Sequence, residues 1–78
     1  MNKVKVYSTS TCHWCVKVKE FLREKKVPFT DLNVGTDAKA RDEMLKKTGQ
    51  MGVPVLDING TIIIGFDKDA IEKAIALH

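Results

Sequence analysis

The sequence predicts an α/β fold: a mixed four-stranded sheet in the order β-α-β-α-β-β-α, with helices on both faces. Three observations carry this. Short runs rich in Val and Ile are separated by longer segments whose apolar residues recur at helical spacing. The first strand–helix–strand unit must cross over between parallel strands. Asn59-Gly60, set between two apolar runs, is a hairpin signal and makes the closing strand pair antiparallel. At 78 residues the chain is expected to form one domain spanning residues 1–78.

Each element has its own justification. Lys3 to Ser8 carries Val4, Val6 and Tyr7 and reads as the first strand. Ser8-Thr9-Ser10-Thr11 is a polar break with good capping residues. From about Cys12 to Lys26, Trp14, Cys15, Val18, Phe21 and Leu22 fall at helical spacing, and Val27-Pro28 stops that helix. Phe29 to Val34 reads as a short second strand. Gly35-Thr36-Asp37 turns the chain and caps a second helix that runs to about Thr48. Ala38, Arg41, Met44, Leu45 and Thr48 are expected on its inner face, with Gly49 as its stop. Val53 to Ile58 and Thr61 to Ile64 are the third and fourth strands. Asp67 then caps a last helix with Ala70, Ile71, Ala74 and Ile75 inward.

Composition narrows the function classes. Thirteen Lys and Arg against ten Asp and Glu give a formal charge of +3, and 44% of residues are hydrophobic. The lysines mingle with acids, so the basic stripe with interleaved aromatics of a nucleic-acid binder is missing. No apolar run approaches the roughly 18–20 residues of a membrane span. The segment from Met1 to Tyr7 lacks the apolar region of a signal peptide, so the expected compartment is the reducing cytoplasm. Structural disulfides are rare there, and two cysteines spaced C-x-x-C point to redox or metal chemistry.

The pair Cys12 and Cys15 opens a helix directly after a strand. Free backbone N–H groups at a helix start favour an anion, and the thiolate is the attacking form of cysteine. Cys12, at the helix mouth, is the expected nucleophile. Cys15, one turn along, is the expected resolving thiol of a mixed disulfide. His13 and Lys17 add positive charge nearby. Other readings stand beside this one. Zinc normally takes four ligands, and the chain offers one Cys pair plus His13 and His78, with His13 poorly placed. A c-type haem needs His after the second Cys, where Val16 stands. Two buried, inert cysteines are the bland alternative. His13 is read either as an electrostatic helper or as a solvated side chain. Trp14 is read either as a substrate-facing aromatic or as a core anchor.

Tyr7-Ser8-Thr9-Ser10-Thr11-Cys12-His13-Trp14-Cys15, with Gly52-Val53-Pro54 and Gly65-Phe66-Asp67 downstream, resembles a glutaredoxin-like redoxin of the thioredoxin fold over essentially the whole chain. The resemblance implies Cys12 as nucleophile and Cys15 as resolving thiol. It implies a cis Pro54, with Val53 presenting its backbone to an extended substrate, and Gly65 and Asp67 at the rim of the same groove. Thr11, His13 and Trp14 complete the expected substrate-binding set.

The chain departs from the glutathione-using members at defined places. Thr9 stands where they carry a lysine, and His13-Trp14 where they have Pro-Tyr. Their Thr-Val-Pro is Gly52-Val53-Pro54, and their Gly-Gly-x-Asp-Asp is Ile64-Gly65-Phe66-Asp67-Lys68. Relatives that also lack these features include glutaredoxin-like proteins reduced by thioredoxin reductase. The expected function is therefore a dithiol electron carrier that reduces protein disulfides, taking its electrons from a thioredoxin-reductase-type flavoprotein. It is expected to work as a monomer, with no metal, flavin or nucleotide cofactor, and with neither nucleic acid nor membrane as partner. Two alternatives are a glutathione-dependent glutaredoxin and, from another class, a metal or iron–sulfur binding module.

Overall fold

The computed structural model describes residues 3–76. It contains β1 (Val4–Ser8), α1 (His13–Glu24), β2 (Thr30–Asn33), α2 (Ala38–Thr48), β3 (Val55–Ile58), β4 (Thr61–Ile64) and α3 (Lys68–Ala76). The strands lie in the order β2-β1-β3-β4. β1 pairs parallel with β2 and antiparallel with β3, and β3 pairs antiparallel with β4. The predicted class, mixed sheet and element order all hold.

Alternation along the strands sorts the core into two layers. Val4 and Val6 of β1, with Leu56 and Ile58 of β3, face Val18, Phe21 and Leu22 of α1 and Ile71 and Ala74 of α3. Tyr7 and Val55 point the other way, onto Ala40 and Met44 of α2. Thus α1 and α3 share one face and α2 covers the other. The second layer ends in a polar cluster, where Lys47 of α2 bonds the Tyr7 hydroxyl at 2.8 Å and pairs with Asp57 of β3.

The turns follow residue chemistry. Asn59 and Gly60 both take positive φ, 53° and 94°, the geometry of the two-residue hairpin. Asp37 caps α2 by accepting the Lys39 and Ala40 N–H groups, at 3.0 and 3.2 Å. Gly49 ends that helix at φ 71°.

Three expectations need correction. The inner face of α2 is set by Ala40 and Met44, which are buried, while Ala38 is exposed and Arg41, Leu45 and Thr48 are half-buried. The stripe is therefore 40–44, one helical turn, which packs with Tyr7, Val34 and Val55. β3 starts at Val55 and not Val53, since Val53 and Pro54 form a loop before the ladder begins. Finally, α1 ends at Glu24, before Val27-Pro28. Lys26 adopts φ 58°, its N–H bonds the Arg23 carbonyl at 3.0 Å, and the Val27 N–H bonds the Leu22 carbonyl at 2.9 Å. This is a Schellman ending with Val27 packed in the same cluster as Leu22, built on lysine where glycine is usual.

A side chain in the left-handed region costs about 1–2 kcal/mol, and glycine returns part of this as unfolded-state entropy. Lys26→Gly should therefore stabilise the protein by about 0.5–1 kcal/mol, raising Tm by several degrees. Thermal unfolding measures it, and a lowered Tm would contradict the assignment of this cap.

Candidate active site

The register of β1 against β3 creates the site. Tyr7 pairs with Val55, so the chain leaving β1 toward Cys12 runs beside the chain entering β3 from Val53 and Pro54. Cys12 is the N-cap of α1, with extended backbone at φ −85° and ψ 112°. Its sulfur takes the role a Ser or Asp oxygen usually plays and accepts the Cys15 N–H at 3.2 Å. The Cys12 thiol also points at the Val53 carbonyl oxygen, 3.9 Å away.

The two sulfurs differ in environment. Both cysteines are free; Cys12 is half-exposed and Cys15 is buried. Burial pushes the Cys15 thiol up to about 12, and its hydrogen bond with Cys12 adds to this. A backbone bond from Thr9 and the Lys19 ammonium act in the opposite direction.

The Val53–Pro54 peptide is cis, as the resemblance implies. Pro54 accepts the Gly65 N–H at 2.8 Å, which ties the end of β4 to this loop. Gly65 has φ 83°, a conformation that glycine adopts without side-chain strain. Trp14, Val53, Pro54, Gly65 and Phe66 line a shallow groove beside Cys12. Trp14 is 57% exposed, so it is a surface aromatic and not a core anchor.

The remaining candidates lie at the margin. Thr11 and His13 are exposed beside Cys12, and the His13 ring meets the Trp14 indole edge-on at 6.0 Å. Lys17 lies farther along α1, beside a hollow it shares with Phe66 and Lys68. Asp67 is exposed, but its carboxylate is engaged as the cap of α3, accepting the Ala70 N–H at 3.1 Å. Phe66 was not among the expected site residues. It bridges Trp14, at 6.3 Å between ring centroids, and Phe21 in the core, at 5.8 Å. An aromatic between Gly65 and Asp67, facing a second aromatic between the cysteines, was the available signal. Among the described residues no three His, Cys, Asp or Glu side chains converge as a metal-ligand set, and His78 lies outside those residues. No helix among them is long and apolar enough to cross a membrane.

A half-exposed thiol capping a helix, a buried partner one turn along and a cis proline opposite define a thiol redox protein of the thioredoxin-like fold. The glutaredoxin family model matches residues 4–63, and the chain belongs to that family. It is 51% identical over 72 residues to a glutaredoxin-like 8.6 kDa protein from the rubredoxin operon of Clostridium pasteurianum, covering 92% of this chain and 96% of the relative. It is 36% identical over 67 residues to glutaredoxin 3 of Escherichia coli K12, covering 86% and 81%. Among solved structures, the thioredoxin-like protein BC3987 superposes with a TM-score of 0.86 at 32% identity, covering 92% of this chain and 99% of that one. Thiol–disulfide oxidoreductase activity in general goes with this membership.

Two outcomes follow from the unequal sulfurs. Alkylation of the reduced protein near neutral pH, mapped by mass spectrometry, should label Cys12 first; labelling of Cys15 first would falsify the assignment. The second concerns alkali. Between its ordinary 9.0 and about 12, Cys15 ionises in the unfolded chain but stays protonated in the native one. The unfolded state then holds fewer protons, so stability falls as pH rises through this window, by up to about 1.4 kcal/mol per pH unit from this group. Cys15→Ala should lack that component when the two are compared by denaturant titration.

Proposed function

We propose that the chain is a dithiol electron carrier that reduces protein disulfides, with residues 1–78 acting as one domain and as a monomer in the cytoplasm. One observation supports this above the others: the Cys12 sulfur caps α1 half-exposed at a groove, while Cys15 waits buried behind it.

An extended substrate lies along Val53 and Pro54 and between Trp14 and Phe66. The Cys12 thiolate attacks one sulfur of the substrate disulfide and forms a mixed disulfide, and the electron pair of the broken bond leaves on the other substrate sulfur. The Cys15 thiolate then attacks Cys12, closes the Cys12–Cys15 disulfide and releases the second substrate thiol. Two electrons pass to the substrate, and a reductase restores the dithiol. The chain's own residues supply this chemistry, with no metal, flavin or nucleotide in it. In this reading nucleic acid and membrane are not partners.

The reading takes a thioredoxin-reductase-type flavoprotein, in preference to glutathione, as the source of electrons. Glutathione carries two carboxylates and an amino group, which a site meets with a cation and an acidic pair. Thr9 is neutral at the position where the glutathione-using members carry a lysine. Asp67 is already committed to capping α3, and the next residue is Lys68. A missing charge-assisted hydrogen bond costs about 1.5–3 kcal/mol, roughly ten- to a hundredfold in affinity.

Cys15→Ser should trap a stable mixed disulfide through Cys12 with a protein substrate, and Cys12→Ser should trap none. Side-by-side turnover on one protein disulfide, with NADPH and either thioredoxin reductase or glutathione with its reductase, checks the electron source. Faster turnover with thioredoxin reductase is expected. Faster turnover with glutathione would make the chain a glutathione-dependent glutaredoxin instead.

A further inference from the structure

Position 19 lies on the inward stripe of α1. Cys15, Val18 and Leu22 of that stripe are fully buried, yet residue 19 is a lysine. A lysine at such a place ordinarily turns its ammonium to water. This one folds back along the sheet edge: its side chain is 18% exposed and its Nζ stands 2.9 Å from Asp31 Oδ2 of β2, a carboxylate that is itself 45% exposed. The same Nζ is 3.5 Å from Ser8 Oγ at the end of β1, and the Ser8 hydroxyl donates to Asp31 Oδ1 at 2.8 Å. Ser8 is the one polar side chain in the buried set of the described residues. Lysine, carboxylate and hydroxyl therefore form a polar cluster one helical turn beyond the buried thiol, open to solvent on the Asp31 side. The lysines of the Lys5–Glu43 and Lys25–Glu72 pairs are more exposed than Lys19, and such pairs contribute little.

Resting on the reading of Cys15 as the resolving thiol, we propose that Lys19, held by Asp31 and Ser8, is a positioning residue for the resolving step. Its ammonium favours the Cys15 thiolate as that sulfur attacks the mixed disulfide on Cys12. The step balances without an added reactant. An electron pair of Cys15 sulfur forms the Cys12–Cys15 bond, the pair of the old disulfide leaves on the substrate sulfur, and the Cys15 proton ends on that sulfur. The cluster is needed because burial makes the thiolate costly. The groups acting on the Cys15 thiol are Cys12 at the N-cap of α1, the Thr9 backbone from the loop after β1 and, most weakly, Lys19 one helical turn on from Cys15. Asp31 of β2 and Ser8 of β1 act through Lys19, and Arg23 lies near Asp31 on the outer side. Charge on Cys12 opposes ionisation of Cys15, and that charge is gone once Cys12 is in the mixed disulfide. Lys19 is then the charged side chain left to act on Cys15. Against a partial desolvation that works the other way, the bonds from Lys19 and Ser8 hold the Asp31 carboxyl below the usual carboxylate range, so it fixes the lysine and moderates its field.

The test is stopped-flow reduction of dithiobis(nitrobenzoate) by excess reduced protein from pH 5 to 9. The first nitrothiobenzoate released reads Cys12, and the second reads Cys15. Lys19→Met should slow the second release about threefold at neutral pH, because the lost thiolate fraction outweighs the gain in nucleophilicity. Because Cys15 is largely protonated over this range, the second release should rise with pH without levelling off, and Lys19→Met should lower it throughout, with the first release changed less. Lys19→Arg should restore the wild-type rate. Asp31→Asn keeps an oxygen for Lys19 but removes the opposing charge, so it should speed the second release. Equal slowing of both phases, or a second phase unmoved by both Lys19→Met and Asp31→Asn, would overturn the proposal. Should Lys19→Met not fold, the opposite behaviour of Asp31→Asn and Lys19→Arg decides. A second release in Cys15→Ser that keeps the wild-type rate at every protein concentration removes the resolving role of Cys15 itself, and that failure is separate from the failure of Lys19.

Discussion

A helix that starts at His13 presents backbone N–H groups with no helical carbonyl to meet them, and a sulfur atom answers one of them. The Cys12 Sγ to Cys15 N–H bond fixes where α1 begins, which way Cys12 faces and how far below it Cys15 lies. Most of the site follows from that one cap. Had Ser or Asp taken the cap position, an oxygen would occupy this point of the helix field. Because cysteine holds it, the group that caps the helix is a thiol, the one that the proposed function uses as nucleophile.

The sheet holds this cap in register with its surroundings. β1 is an inner strand, paired on both sides, and its last residues are buried. It feeds the Cys12 loop from a fixed point, and β3 brings Pro54 to the same end from the opposite direction. At the far end of α1, the Lys26 cap folds Val27 back onto Leu22. The helix is thus held at its start by a sulfur and at its end by a hydrophobic contact. Its middle is held by Val18, Phe21 and Leu22 against β1, β3 and α3.

Much of this was legible in the sequence because the signals are local. Asn59-Gly60, Gly49 and Asp37 act through their own backbone preferences, and each does what its chemistry requires. The Cys12 and Cys15 pair was legible because it follows a strand and opens a helix. What escaped depends on partners distant in the chain. Phe66 becomes a groove wall only when α3 packs beside α1. The inner face of α2 narrowed to Ala40 and Met44 because these two are the α2 residues buried with Tyr7, Val34 and Val55, residues scattered along the chain. Lys19 and Asp31 are twelve residues apart, and each reads as an ordinary surface charge until β1 and β2 pair. The early end of α1 was hidden because lysine is not the residue that usually marks a left-handed cap.

The chain has one tryptophan and one tyrosine. Tyr7 is wholly buried, with its hydroxyl bonded by Lys47 on the α2 side of the sheet. Trp14 stands between the two cysteines and is open to solvent. The near-ultraviolet emission of the protein therefore originates beside the two sulfurs, while its tyrosine absorbs from the core. Oxidation of the dithiol, or the arrival of a partner over the groove, alters the surroundings of the indole directly. The molecule carries an intrinsic optical reporter at its site, without any attached label.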